Sequence, residues 1–99
     1  MTNNKELLEL ALATYGRVPQ LLMVLEEMSE LSVKILHVLR GRSPLAGGEV
    51  LEEIADVEIM MEQLRIMIDA EGGTVALDER KEEKLQRLAS RLAKEKKHD

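Results

Sequence analysis

The sequence predicts an all-α protein: a helical hairpin core with short flanking helices, forming a four-helix bundle completed by oligomerisation. Three observations carry this expectation. Apolar residues recur at helical 3-4 spacing along most of the 99 residues, and no segment alternates as a strand would. Gly and Pro gather at three places only, Gly16 to Pro19, Gly41 to Gly48 and Gly72-Gly73, and so mark off four helical stretches. A chain this short buries a modest share of its surface, which a partner subunit would increase.

The first helix is expected over about Asn4 to Thr14, ending near Gly16. Tyr15-Gly16-Arg17-Val18-Pro19 reads as a turn, with Pro19 in the first turn of a second helix, where its missing N–H costs nothing. That helix runs to about Arg40, and Gly41 to Gly48 forms a loop. A third helix spans about Glu49 to Ala70 and is stopped by Gly72-Gly73. Thr74 reads as the N-cap of a fourth, which frays into a basic tail from about Lys94. Residues 1–99 are read as a single domain. The expected apolar seam is Leu21, Val24, Met28, Leu31, Ile35 and Val38 on helix two, with Val50, Ile54, Val57, Met61, Leu64 and Ile68 on helix three. At ~1.5 Å per residue each of these helices is about 30 Å long. Two such helices need company on more than one side.

Composition narrows the function classes. The formal charge is −5, but residues 1–78 carry a net −8 and residues 79–98 a net +4. An acidic body argues against polymeric nucleic acid, whose affinity rests on phosphate contacts, and suits a cation. There is no cysteine, so neither disulfides nor thiolate metal sites enter. No apolar run of about twenty residues spans a bilayer, and the short basic tail is mixed with Glu82, Glu83 and Glu95, so no membrane role is expected. Met1 to Lys5 is polar, unlike a signal peptide, and the protein reads as cytoplasmic. Tyr15 is the only aromatic besides His37 and His98, leaving little for base stacking.

Carboxylate pairs at i, i+3 are common here: Glu6/Glu9, Glu49/Glu52 and Glu79/Glu82 share that spacing, and a solvated face explains most of them. Glu27/Glu30 and Glu53/Asp56 differ in position. Moving one residue back from each seam gives Gln20, Met23, Glu27, Glu30, Lys34, His37 on helix two and Glu49, Glu53, Asp56, Met60, Gln63, Met67 on helix three. Methionines on that strip signal a partly buried surface with four acids near its middle. Converging carboxylates repel each other and are costly to desolvate, and a hard divalent cation relieves both. All-oxygen ligands favour magnesium, manganese or calcium over zinc. Magnesium keeps waters and binds phosphate oxygens beside a few carboxylates, so phosphate chemistry is the natural use.

Glu26-Glu27-Met28-Ser29-Glu30-Leu31, followed by Glu52-Glu53-Ile54-Ala55-Asp56-Val57, resembles the MazG-like nucleoside triphosphate pyrophosphohydrolases of the all-α NTP pyrophosphatase superfamily. The family pattern is ExxE on one helix and ExxD on the next, and here 22 residues separate Glu30 from Glu53. Tyr15 to Gln20 and the KxxR of Lys84 and Arg87 resemble further family features, so the likeness covers roughly residues 14–92. It implies Mg2+, with Mn2+ a possible substitute, held by Glu27, Glu30, Glu53 and Asp56. It also implies water attack at the α-phosphorus of a (d)NTP, giving (d)NMP and pyrophosphate. Glu26 and Glu52 become candidates, beside Glu27 and Glu53, for orienting that water or a second metal. Lys34 is a candidate phosphate ligand or a partner of Glu30. Gln20 is a candidate nucleotide contact or a solvated first-turn residue. Lys84 and Arg87 hold the triphosphate tail, or else balance the acidic body and the helix dipole. The expected partners are a nucleoside triphosphate and further copies of the chain, as a homodimer or homotetramer. Two rivals stay open: a non-catalytic helical interaction module, and a same-fold phosphohydrolase of dUTPase-like or histidine-pathway-like specificity.

Overall fold

The computed structural model describes residues 3–97. Four α-helices follow in order, α1 (Asn4–Tyr15), α2 (Arg17–Leu39), α3 (Gly48–Ala70) and α4 (Thr74–Lys97), and no strand occurs among the described residues. The protein is all-α. No described helix is long and apolar enough to cross a membrane. The chain divides into two compact units, Met1–Met67 and Ile68–Asp99, with the boundary inside α3.

The helix ends follow from the residues that the sequence supplies. Asn3 caps α1, its side-chain oxygen accepting from the Glu6 N–H at 2.8 Å. Gly16 then serves two helices at once. Its N–H donates to Leu12 O at 2.9 Å, closing α1, and its own carbonyl accepts from the Gln20 N–H at 3.3 Å, opening α2. It does so at φ +91°, a backbone state that side-chain-bearing residues rarely adopt. Two helices therefore abut with one residue between them, and Pro19 falls in the first turn of α2. α2 and α3 end alike. The N–H groups of Gly41 and Arg42 return to the carbonyls of Val38 and His37, and those of Gly72 and Gly73 to Asp69 and Ile68. Both are Schellman endings with a positive-φ glycine.

Three boundary expectations change. The expected turn from Tyr15 to Pro19 shrinks to Gly16 alone, because Tyr15 still belongs to α1 and Arg17 already to α2. Thr74 is the first residue of α4 and not its cap; its hydroxyl donates to Asp69 Oδ1 at 2.7 Å, tying the start of α4 to the end of α3. α4 also continues past Lys94 to Lys97, consistent with basic side chains favouring a helix C-terminus. The rest of the tail, His98 and Asp99, lies outside the described residues, as do Met1 and Thr2 of the polar N-terminal stretch.

In the first unit α1 packs on α2, and α2 and α3 run antiparallel. The core is small: Val24, Val50, Met60 and Met67 are the buried apolar residues. The expected seam is only partly realised. Val24 and Val50 are buried, but Met28, Ile35 and Met61 are 50, 42 and 43% exposed. On α3 the strip one residue back supplies most of the buried positions, Glu53, Met60, Gln63 and Met67, whereas α2 buries Gln20 of that strip and Val24 of the seam and leaves Met23, expected on the partly buried strip, 38% exposed. Leu25, Met28, Ile35, Leu36 and Leu39 remain as exposed apolar side chains on α2.

In the second unit, α4 carries an apolar stripe, Leu85, Leu88 and Leu92, exposed on an otherwise charged helix.

Candidate metal centre

The antiparallel register of α2 and α3 brings the two acidic motifs together. Counting forward from Gln20 on α2 and back from Gln63 on α3, the tenth residues are Glu30 and Glu53, and the fourteenth are Lys34 and Glu49. Contacts mark both ends of this ladder. Gln63 Nε2 donates to Gln20 Oε1 at 3.1 Å, and Lys34 Nζ lies 3.8 Å from Glu49 Oε2. Between them, one carboxylate oxygen each from Glu27, Glu30 and Glu53 lie within 4.8 Å of one another.

Burial grades across the cluster. Glu53 is 7% exposed, Glu27 is half-buried and Glu30 is exposed, so the site is closed at its base and open at its rim. Asp56 stands outside the three-oxygen cluster but lines the same groove, an open pocket of about 370 Å³ bounded by Glu30, Val33, Lys34, Glu49, Glu52, Glu53 and Asp56. A methionine or leucine at position 53 would bury as easily. A carboxylate there needs another cause.

The electrostatics show the strain of the arrangement. A hydrogen bond with Glu53, burial, and the charges of Glu53, Glu30 and Asp56 push the Glu27 carboxyl up to about 7 from an ordinary 4.5. Glu30 is raised as well, first by the charge of Glu53, then by burial and by Glu26. When both Glu27 and Glu53 are ionised neither can donate, and Glu27 Oε2 and Glu53 Oε1 are buried without a partner. A proton shared between them supplies the missing bond at low pH. A divalent cation would do so at neutral pH, and the donor set suits one: several carboxylate oxygens, no nitrogen and no sulfur.

Of the candidate residues, Glu27, Glu30 and Glu53 converge, and Asp56 and Glu52 join them along the groove. Glu26 is exposed on α2 and is felt through its charge on Glu30. Lys34, a candidate phosphate ligand or partner of Glu30, pairs across the hairpin with Glu49. Gln20 is buried, not solvated, with its amide oxygen committed to Gln63. Lys84 and Arg87 belong to the second unit, on a face of α4 shared with Ser90, Arg91 and Lys94, and all are exposed. The hollow along that face has lining residues from α4 alone, so it is a helix surface and not a cleft.

Sequence reasoning passed over Gln63 as a site residue. It is fully buried, and its position on the methionine strip directly across from Gln20 was the available signal. Compared with known proteins, the chain matches no family model, no curated protein and no solved structure.

Proposed function

We propose that this chain is a Mg2+-dependent nucleoside triphosphate pyrophosphohydrolase of the MazG-like kind, releasing pyrophosphate and a nucleoside monophosphate. One observation carries the reading: Glu53 is buried with Oε1 unpartnered, within 4.8 Å of carboxylate oxygens of Glu27 and Glu30. Burying a carboxylate beside two others costs several kcal/mol without a counter-charge, roughly the penalty of removing an ion from water after relaxation. A divalent ion offsets that cost, and the motif resemblance supplies the chemistry it would serve.

Glu27, Glu30 and Glu53 would hold the ion, with Asp56 at the groove edge as a fourth oxygen donor. When bound, the ion polarises the phosphoryl group and lowers the pKa of a water. Glu52, on the groove lining, would accept a hydrogen bond from the attacking water; Glu26, exposed and not on that lining, would act on the site through its charge. Lys34, already in the groove and held only by a partly exposed ion pair, can exchange Glu49 for a phosphate oxygen. Attack forms an O–P bond at the α-phosphorus and breaks the bridge to the β-phosphate, so pyrophosphate leaves with the bonding electron pair. One proton of the water is lost to solvent.

The test is product analysis. Incubated with canonical and modified (d)NTPs and Mg2+, the chain should yield monophosphate and pyrophosphate in equal amounts, and nothing with chelator. Orthophosphate as the first product would assign another phosphohydrolase. No turnover across the panel would remove the catalytic reading.

A further inference from the structure

The Gln20–Gln63 contact is a polar pair in a core with few apolar anchors. Gln63 is wholly buried and Gln20 is 7% exposed, the one donating Nε2–H to the other's Oε1 at 3.1 Å. The arrangement is not optimised for stability, because Gln63 Oε1 is buried with no partner at all. Such amides are costly in an apolar setting, and replacing both partners by apolar groups is often neutral or favourable. Their physical effect lies elsewhere. A buried polar pair penalises every alignment of two helices except the one in which the two groups meet.

Alternative alignments are a real hazard here. Both helices repeat apolar residues at 3-4 spacing, so a slip of one turn again sets apolar against apolar. The connection of residues 40–47, with Gly41 and Gly47 in it, is long enough to absorb the ~5 Å that one helical turn represents. Among the other cross-hairpin polar contacts, Lys34–Glu49 is 3.8 Å long and partly exposed, and pairs of that kind enforce little, while Glu27 and Glu53 are two acids whose meeting favours no register by itself. A one-turn slip in one direction would set Gln63 against Met23 or Val24 and Gln20 against Ile66 or Met67; in the other it would set Gln63 against Gly16 or Arg17 and Gln20 against Ile59 or Met60, so the amide pair is lost either way.

We propose that Gln20 and Gln63 are positioning residues: their buried amide contact locks the α2–α3 register that places Glu27 and Glu30 opposite Glu53. The three carboxylates sit about two to three helical turns from the lock, so a slip there is transmitted undiminished along rigid helices. The consequence for metal binding rests on the functional reading given above; the register lock itself does not.

The double variant Gln20→Leu/Gln63→Leu tests this in the full chain, with Mn2+ alone as the probe. Omitting nucleotide keeps any contact of Gln20 with substrate out of the measurement. The metal-free melting temperature should hold or rise, while the Kd for Mn2+ rises about tenfold or more, the loss typical when groups that orient ligands are removed. A merely structural pair would lower the melting temperature instead. Unchanged Mn2+ affinity, or loss of the helical signal, would overturn the proposal. The absence of cysteine gives a second measurement that needs no metal. Lys34→Cys with Glu49→Cys should cross-link readily through a short bifunctional thiol reagent, and several-fold more slowly in the Leu/Leu background. Equal rates would overturn the lock. If the parent chain binds no Mn2+, the metal-site reading fails, and the cross-linking rates alone decide the register.

Discussion

Glu53→Gln is expected to abolish Mg2+-dependent hydrolysis while making the metal-free protein more stable. Glutamine keeps the size and shape of the side chain but carries no charge, and its N–H can donate to the Glu27 carboxylate beside it. Two effects therefore separate. The ion loses its most buried ligand, and with a ligand set this small the transition state loses several kcal/mol of stabilisation. At 1.36 kcal/mol per tenfold, kcat/KM should fall roughly 10³-fold or more. The orphaned Glu53 Oε1 and the Glu53 share of the repulsion that raises Glu27 and Glu30 disappear together. Relief of about 1–2 kcal/mol would raise the melting temperature by roughly 5–10 °C in a domain of this size. As a control, Glu58→Gln, on an exposed position of the same helix, should change neither quantity. Calorimetry and a pyrophosphate-release assay read both effects. A Glu53→Gln chain that melts lower and still turns over would contradict the account on each count.

Metal-free stability should fall as pH rises across neutrality, the reverse of ordinary acid denaturation. The folded Glu27 carboxyl titrates near 7, against an ordinary 4.5. Between those values the folded chain holds a proton that the unfolded chain has released, so stability declines with pH in that window. The contribution is complete below about 4.5 and is lost as pH climbs through about 7. Glu30 is displaced in the same direction and adds to the trend. A shift of this size sets an upper figure of about 3 kcal/mol, and solvent at the open rim reduces it to roughly 1–2 kcal/mol. Melting curves in chelator should therefore drop by several degrees from pH 5 to pH 8. Millimolar Mg2+ should restore the loss at pH 8 and do little at pH 5, where protons compete for the same oxygens. A flat profile, or stability that climbs from pH 5 to pH 8, would show that the carboxylates do not crowd one another in solution.

Helix number, order and limits were legible because the breakers are unambiguous. Gly16, Gly41 and Gly72 each adopt positive φ at a helix end, and no competing glycine or proline sits inside a helix beyond the first turn. The convergence of Glu27, Glu30 and Glu53 was legible from their place on a strip that also holds Met60 and Met67, both buried. What periodicity could not give was the rotation of each helix. The seam and the strip beside it are one residue apart, about 100° around the axis, and both contain enough Leu, Val and Met to read as core. Two buried glutamines settle the matter in three dimensions, but singly each looks like a surface residue in a sequence one-third charged. The Lys34–Glu49 pair was not legible for a related reason: it joins residues far apart in sequence that only the hairpin register brings together.

The account depends on one divalent cation being shared by side chains of α2 and α3. Titration of the metal-free chain with Mn2+, followed by electron paramagnetic resonance, examines this without substrate or turnover. Saturable binding by the wild type, weakened at least about tenfold in Glu53→Gln, is the result the account predicts. Mn2+ that stays free in solution with the wild type, or binds both chains equally, would contradict it.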